Sequence, residues 1–299
     1  MKKGLTLLLT MVMLAALFTG CGSKADIAIG SKQFTENILL GEIYAQLIEA
    51  KTDLKVERRL NLGGTSICMP AMEKGEIDIY FEYTGTAFNE ILDYELTAET
   101  GKDEVRQTVQ KDLNEKKNIT MFDPLGLNNT FAVAMKTDRM NELGITSISD
   151  LASASGQLRF GANHIFYARM HDGFNGLITT YSLDFVEDKN ALKMDTSLLY
   201  DAVEAGDLDV IIVYATDAQL RNLAMTCLKD DKGLFPAYEG APVIRNATLE
   251  KYPELSEVLN SLAGAVDDET MQELNYQVDV GKQSVEDVAK DFLTDNSYI

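Results

Sequence analysis

Residues 75–89, GEIDIYFEYTGTAFN, form the stretch that decides the fold of this chain. Ile77, Ile79 and Phe81 occupy alternate positions, which is the period of a β-strand. The residues that follow, YTGT at 83–86, put one aromatic ring and two hydroxyls on a turn at the carboxyl end of this strand. Open α/β sheets hold their ligands at that edge. The stretch therefore predicts an α/β fold with a small-molecule site at this turn.

The first half of the chain predicts a βαβαβ unit around this strand. Strands at 26–30 and 54–60 precede the strand at 77–81, with helices at 34–50 and from Thr65 onward between them. The apolar residues of the first helix recur at helical spacing. An alternation of strands and helices of this kind makes neighbouring strands parallel.

The second half of the chain continues the alternation of strands and helices. Strands are predicted at 131–135, 158–161 and 208–213, and three helices close the chain. A single large α/β domain would fit this order, but we predict two lobes. Lobe 1 comprises residues 26–129 plus 237–299, and lobe 2 comprises residues 130–236.

The N-terminus has the composition of a bacterial export signal. Two lysines precede an uncharged apolar run at 5–18, which is too short to span a bilayer, since a spanning helix needs about 20 apolar residues. We predict a signal peptide at 1–20. The segment LFTGC, which ends at Cys21, resembles a lipoprotein box, so residues 21–25 are predicted to be a lipidated cysteine and a short tether. Plain secretion is the alternative.

The composition is typical of a folded, acidic globule. Hydrophobic residues make up 45% of the chain, and the formal net charge is −20 at pH 7. A charge of this sign repels phosphate backbones and anionic membrane surfaces, so we predict no nucleic-acid partner. Cys68 and Cys227 lack metal-ligand spacing, and we interpret both as ordinary small apolar side chains. A disulfide between them is the alternative.

Residue types used in catalysis or metal binding do not form a recognisable pattern. The two histidines, His164 and His171, belong to no HExxH motif, and the chain has no GxSxG motif. Asp78, Glu82 and Asp217 would be candidates for acid–base catalysis, but acidic residues are abundant throughout this chain. We therefore predict no catalytic residue, no metal site and no cofactor.

Five motifs, taken in chain order, make the sequence similar to a known family. They are GSKQFTE at 30–36, LGGT at 62–65, GEIDIY at 75–80, EYTGT at 82–86 and LKDDK at 228–232. The chain resembles the substrate-binding proteins of quaternary-amine ABC importers, which are receptors for glycine betaine, carnitine and choline. The resemblance implies a two-lobed periplasmic-binding-protein fold, type II-like, with two hinge crossings and the ligand in the interlobe cleft.

The resemblance also implies an aromatic cage for the quaternary ammonium group. The ring positions of the cage correspond to Tyr83, Phe131, Tyr214 and Tyr238. The family more often has tyrosine where this chain has Phe131, which keeps the π face and lacks the hydroxyl. Thr86 is expected to add a hydrogen-bond donor. Each ring face attracts a cation by roughly 0.5–2 kcal/mol. We expect Tyr83 and Phe131 on one wall, with the other two rings arriving when the lobes close.

Lys32 and Arg169 correspond to the carboxylate-binding positions of the family. The resemblance assigns Lys32 to the first lobe and Arg169 to the second, from which it closes onto the same carboxylate. Two fixed cations repel a ligand that has no anionic group. The presence of both therefore favours a zwitterionic ligand over choline.

Together these assignments predict an extracytoplasmic, lipid-anchored receptor that binds a glycine betaine-type zwitterion and delivers it to an ABC permease and its ATPase. The permease and the ATPase are implied by the resemblance alone. Receptors for carnitine, choline, ergothioneine or an amino acid are the alternatives. An amino-acid receptor would need an acidic residue facing the α-ammonium group in place of a cage of rings.

Overall fold

The computed structural model describes residues 25–96 and 100–299. The predicted signal peptide at 1–20 and the predicted lipidation site, Cys21, lie outside the described residues. The described strands are β1 (Ile27–Lys32), β2 (Val56–Gly63), β3 (Ile79–Tyr83), β4 (Ile119–Met121), β5 (Phe131–Lys136), β6 (Phe160–Ala162), β7 (Ala191–Lys193), β8 (Val210–Tyr214), β9 (Met225–Cys227) and β10 (Gly240–Arg245).

The described helices lie between and around these strands. They are α1 (Thr35–Lys51), α2 (Thr65–Glu73), α3 (Lys102–Lys117), α4 (Thr137–Leu143), α5 (His164–Ala168), α6 (Phe174–Tyr181), α7 (Thr196–Glu204), α8 (Ala218–Asn222), α9 (Asn246–Lys251), α10 (Leu255–Asn260), α11 (Asp268–Asp279) and α12 (Val285–Asp295). A single helical turn, Thr84–Thr86, follows β3 and continues into a π-helical turn at Ala87–Ile91. None of the helices within 25–96 and 100–299 is long and apolar enough to cross a membrane.

The first sheet contains the predicted parallel unit and two later strands. Its strand order is β2-β1-β3-β10-β4. The strand β1 is parallel to both β2 and β3, as the βαβαβ pattern predicts. The strand β10 returns from the far end of the chain and pairs antiparallel with β3 and β4. This sheet is therefore mixed, although its first three strands are parallel.

The second sheet is built from the middle of the chain. Its strand order is β7-β6-β8-β5-β9, with β6 parallel to its neighbours β7 and β8. The strand β5 is antiparallel to β8, and this register places Phe131 opposite Tyr214. The strands β6 and β8 begin two residues later than the apolar pattern predicts. Leu158 and Leu208 are buried but lie in the connections that precede these strands. Hydrophobic spacing indicates which residues are buried and does not show where the hydrogen bonds between strands begin.

Two crossings, at 122–130 and 228–239, join the two sheets and lie side by side. The backbone amide of Asn129 donates to the carbonyl of Tyr238 at 3.1 Å. The amide of Tyr238 in turn donates to Oδ1 of Asn128 at 2.7 Å, and Thr130 Oγ1 donates to the carbonyl of Pro236 at 2.8 Å. The predicted lobe boundaries, 26–129 plus 237–299 against 130–236, fall within these crossings, and the division into those two units stays a prediction.

Each of the four buried apolar clusters draws on one sheet and its helices. Two clusters pack the faces of the first sheet, and two pack the faces of the second. The helix α1 contributes Leu39, Ile43 and Leu47, all fully buried, to the core of the first sheet. Because none of these four clusters, all drawn from 25–96 and 100–299, spans the space between the sheets, the edges that face each other are left for polar and aromatic side chains.

The helix α11 packs against α1 and also touches the second sheet's side of the molecule. Gln272 Nε2 donates to the carbonyl of Ala215 at 2.7 Å, and Arg221 forms an ion pair with Glu273 at 2.6 Å. These contacts connect the C-terminal helices to the segment that follows β8. The two sheets are thus joined by the crossings and by this helix.

Candidate ligand-binding site

A cavity of about 770 Å³ lies between the facing edges of the two sheets. This volume is within the range of ~300–1,000 Å³ that is usual for small-molecule sites. The strands β1 and β3 end at this cavity with Lys32 and Tyr83, and β8 ends at it with Tyr214. The site therefore occupies the carboxyl ends of the strands, where open α/β sheets bind ligands.

The seven residues that the sequence analysis assigns to ligand binding all line this one cavity. They are Lys32, Tyr83, Thr86, Phe131, Arg169, Tyr214 and Tyr238. Lys32 and Arg169 are 137 positions apart in the sequence; Lys32 ends β1 of the first sheet, and Arg169 follows α5, the helix after β6 of the second sheet. Four other tyrosines that contribute no lining are buried in the packed interior: Tyr44, Tyr80, Tyr181 and Tyr200.

Tyr83 is held at the end of β3 by polar and aromatic neighbours. Its hydroxyl donates to the carboxylate of Glu36, and its ring stacks on Phe34 with a centroid distance of 6.3 Å. Burial and the nearby charge of Glu36 raise the pKa of Tyr83 well above the usual value. The phenol therefore stays protonated and keeps donating.

Phe131 and Tyr214 form a stacked pair on the second sheet. Their ring centroids are 4.9 Å apart with an interplanar angle of 22°, and the guanidinium carbon of Arg169 lies 5.4 Å from the centre of the Phe131 ring. We expected Phe131 on the same wall as Tyr83, and that expectation is wrong. The antiparallel register of β5 with β8 places Phe131 beside Tyr214 instead.

Tyr238 lies on the returning crossing and packs directly over Gly85. A Cβ atom at position 85 would come within 2.7 Å of the Tyr238 ring and 2.8 Å of the carbonyl oxygen of Ala237. Only a residue without a side chain allows this approach, which is the physical reason for glycine in the EYTGT motif. The turn that carries Thr86 and the ring of Tyr238 are thereby held together on the first sheet's side of the cavity.

Lys32 is buried, with 5% of its surface exposed, and its charge is already balanced. Its Nζ forms an ion pair with Glu82, a fully buried residue. The same ammonium group lies 5.0 Å from the centre of the Tyr83 ring. Glu82 also accepts a hydrogen bond from Thr65 Oγ1 at 3.1 Å and one from Tyr80 at 2.9 Å. Sequence analysis identified Lys32 but missed its partner Glu82.

Arg169 follows the short helix α5 and is paired with Asp172. Its Nε donates to Oδ1 of Asp172 at 2.8 Å, and a terminal nitrogen donates to Oδ2. Burial lowers the pKa of Arg169, but the contacts with Asp172 and Tyr238 outweigh this effect, so the pKa lies above its usual value. Arg169 is thus a permanent cation that contacts residues associated with both sheets.

Acidic groups outnumber basic ones among the residues that line the cavity. The charged lining residues are Lys32, Glu36, Glu90, Arg169, Asp217 and Asp279. Burial raises the pKa of Asp217 to about 6, although its carboxylate accepts hydrogen bonds from Tyr200 at 2.5 Å and from the amide of Tyr214 at 3.2 Å. In the described part of the chain no group of three His, Cys, Asp or Glu residues is arranged to hold a metal ion.

Glu36 and Asn275 are lining residues that sequence analysis missed. Glu36 belongs to the GSKQFTE motif, so the motif itself was a usable signal. Asn275 comes from α11, 239 residues further along the chain, and nothing in its local sequence indicates a site. Asn129 also lines the cavity, and its side-chain nitrogen donates to Glu36 at 2.9 Å.

Comparisons with known proteins agree with this geometry. Residues 25–295 match the family described as the substrate binding domain of ABC-type glycine betaine transport systems. The chain is 36% identical over 271 residues to the ergothioneine transport permease/ergothioneine binding protein EgtU of Helicobacter pylori (strain G27), covering 90% of this chain and 47% of EgtU. The chain therefore spans about half the length of that relative.

Two further matches cover nearly the whole length of the matched protein. The carnitine transport binding protein OpuCC of Listeria monocytogenes (strain 10403S) is 31% identical over 99% of this chain and 98% of its own length. A crystal structure of a glycine betaine/carnitine/choline ABC transporter protein superposes with a TM-score of 0.86 at 30% identity, over 91% of this chain and 99% of that one. The two-lobed periplasmic-binding-protein fold predicted from the sequence is confirmed.

Proposed function

This chain belongs to the family of substrate-binding domains of ABC-type glycine betaine transport systems, and we propose that it captures a quaternary-ammonium zwitterion outside the cytoplasm for import. Members of this family bind solutes and are not enzymes. One observation carries the proposal. Seven residues that the family resemblance assigns to the ligand, drawn from both sheets, line a single cavity.

We propose that aromatic rings bind the trimethylammonium end of the ligand. A group without hydrogen-bond donors is held by ring faces, each worth roughly 0.5–2 kcal/mol. Tyr83 and Tyr238 would contact it from the first sheet's side, and Tyr214, backed by the stacked ring of Phe131, from the second. Thr86 would add a donor from the turn after β3.

The carboxylate end of the ligand is assigned to Lys32 and Arg169. Lys32 is already paired with Glu82, and Arg169 with Asp172. The ligand carboxylate would therefore bind each cation alongside its existing acidic partner. The guanidinium uses Nε and one terminal nitrogen for Asp172, and a planar guanidinium has five donors in all. Its remaining donors are sufficient for a second carboxylate.

Closure of two lobes would select the ligand. In this proposal residues 26–129 plus 237–299 carry Lys32 and Tyr83, and residues 130–236 carry Arg169 and Tyr214. A solute with two different ends binds both lobes at once and therefore stabilises the closed form. A solute that lacks either end contacts fewer groups and shifts the equilibrium less.

Several zwitterions fit this scheme, and the titration panel should include each of them. Glycine betaine is the ligand class of the family, while the two named relatives are described as ergothioneine and carnitine binding proteins. Calorimetric titration of the purified protein with glycine betaine, carnitine, ergothioneine and choline tests the proposal. We expect at least one zwitterion to bind at least about tenfold more tightly than choline, which lacks the carboxylate.

The same titration can reject the proposal. If choline binds more tightly than each of the zwitterions, Lys32 and Arg169 do not bind a ligand carboxylate. Free amino acids are titrated in parallel, and binding of one of them with no response to any quaternary amine would favour an amino-acid receptor, the alternative raised by the acidic residues in the cavity. No binding of any of these solutes would contradict the ligand class.

We further propose that the mature protein is lipid-anchored through Cys21 and delivers its solute to an ABC permease and ATPase. The support is the lipoprotein-like segment that ends at Cys21. Osmoprotection is the purpose that fits a compatible solute, and nutrient uptake would use the same receptor. Cell fractionation tests the anchor, since Cys21→Ser should move the protein out of the membrane fraction; retention there would contradict lipidation.

A further inference from the structure

Glu36 is a buried acidic residue at the ligand cavity. It lies in the first turn of α1, has only 3% of its surface exposed, and lines the cavity beside Tyr83. Its carboxylate accepts hydrogen bonds from the Tyr83 hydroxyl, from Asn129 Nδ2 at 2.9 Å and from Asn275 Nδ2 at 3.4 Å. All three contacts are accepted, which is the pattern of an ionised carboxylate.

The orientation of Asn275 agrees with this charge state. Its Nδ2 points to Glu36 and to the carbonyl of Thr216 at 3.0 Å. Its Oδ1 is buried and has no hydrogen-bond partner in the described part of the chain. The amide therefore gives its donors to Glu36 and Thr216 at the cost of an unpaired acceptor, and a hydrogen bond to an ionised carboxylate offsets more of this cost than one to a neutral group.

No basic side chain compensates Glu36. Within 25–96 and 100–299, no lysine, arginine or histidine lies within ion-pair distance of this carboxylate, whereas the buried acids Glu82 and Asp172 are each paired with a cation that lines the cavity. A buried charge is normally paired, because neutral hydrogen bonds replace only part of its lost hydration. Among the described residues, the buried Glu36 and the half-buried Asp217 are lining acids that lack such a cation, and Glu36 lies beside Tyr83 on the first sheet's side of the cavity.

We propose that Glu36 supplies the negative charge that the quaternary ammonium group of the ligand neutralises, and that it determines specificity for cationic over neutral solutes. This inference rests on the proposed function and deepens it. Glu36 acts on the ligand directly through its field and indirectly through Tyr83. A phenol that donates to a carboxylate gains electron density on its ring, and a more negative ring face attracts a cation more strongly.

The helix α1 offers a matched control for Glu36. Glu42 lies on the same helix, is 2% exposed and does not line the cavity, and it is paired with Arg58 at 2.8 Å. We compare Glu36→Gln with Glu42→Gln by the dissociation constant for glycine betaine and by the thermal midpoint without ligand. Glutamine keeps the size of each side chain and removes only the charge.

The two variants should change in opposite ways. We expect Glu36→Gln to weaken glycine betaine binding at least about tenfold, while the ligand-free thermal midpoint stays unchanged or rises, because an uncompensated buried charge has been removed. We expect Glu42→Gln to keep the affinity and lower the midpoint, because Arg58 loses a partner. The tert-butylacetate anion, in which carbon replaces the ammonium nitrogen so that the trimethyl end is uncharged, should lose no more than about twofold affinity in Glu36→Gln.

Three outcomes would overturn the inference. They are unchanged glycine betaine affinity in Glu36→Gln, an equal loss for glycine betaine and tert-butylacetate, or a lower midpoint like that of Glu42→Gln. If the unaltered protein binds no quaternary amine, the proposed function fails instead. The midpoint comparison would then still decide whether Glu36 is an uncompensated charge.

Discussion

Replacing Gly85 by alanine should weaken glycine betaine binding at least tenfold. The new Cβ would come within 2.7 Å of the Tyr238 ring and 2.8 Å of the Ala237 carbonyl oxygen, so the ring and the returning crossing must both move. Losing one ring from the cage removes roughly 0.5–2 kcal/mol, and displacement of the crossing adds to this loss. Overpacking also costs about 1–3 kcal/mol of unfolding free energy. Calorimetric titration and urea denaturation measure the two effects.

Gly64→Ala is the matched control for this change. Gly64 lies in another glycine motif of the same sheet, and a Cβ there meets nothing within 4 Å. We expect its affinity and stability to remain near those of the unaltered protein. In a Tyr238→Ala background, Gly85→Ala should have a smaller further effect on affinity, because the ring is already absent and only the contact with the Ala237 carbonyl oxygen remains. Affinity within twofold of the unaltered protein for Gly85→Ala would show that Tyr238 does not bind the ligand.

Arg169→Ala should weaken binding of glycine betaine by about 10- to 100-fold and leave choline nearly unaffected. Charge-assisted hydrogen bonds are worth roughly 1.5–3 kcal/mol, and choline has no carboxylate to lose them. The substitution also leaves Asp172, which is 8% exposed, without its cation. A lower thermal midpoint is therefore expected, and affinities should be measured well below it.

Arg139→Ala is the matched control for Arg169. Arg139 pairs with Glu142 three residues later at 3.0 Å, as Arg169 pairs with Asp172, but this exposed pair lies outside the cavity. We expect Arg139→Ala to bind glycine betaine normally. Equal affinities of the two variants, or an equal loss for choline and glycine betaine in Arg169→Ala, would remove Arg169 from the carboxylate site.

Much of the fold and part of the site could be predicted from the sequence. The alternation at Ile77, Ile79 and Phe81 located β3, and its end located Tyr83, because strand ends of a parallel unit share one edge. The motif at 30–36 then identified Lys32, and the resemblance to the family identified Arg169. Local patterns of this kind carry information about single elements and about the polar turns that follow them.

Pairing between distant elements was the part that the sequence did not reveal. Phe131 was expected beside Tyr83, because nothing in either strand indicates the antiparallel register that brings Phe131 opposite Tyr214. Asn275 reaches the cavity only because α11 packs against α1 and α8, which no local pattern encodes. The ion pairs of Lys32 and Arg169 were also missed. Acidic residues are so abundant in this sequence that it does not indicate which of them pairs with a given cation.

The most direct test of this account compares glycine betaine with the tert-butylacetate ion on the unaltered protein. The zwitterion glycine betaine and the tert-butylacetate anion have nearly the same shape and the same carboxylate, and they differ in the positive charge at the trimethyl end. If aromatic rings and Glu36 recognise a cation, calorimetric titration will give glycine betaine a dissociation constant at least about tenfold lower. Equal or tighter binding of tert-butylacetate would mean that the cavity recognises only the shape and the carboxylate of the ligand. That result would contradict recognition of a quaternary ammonium group.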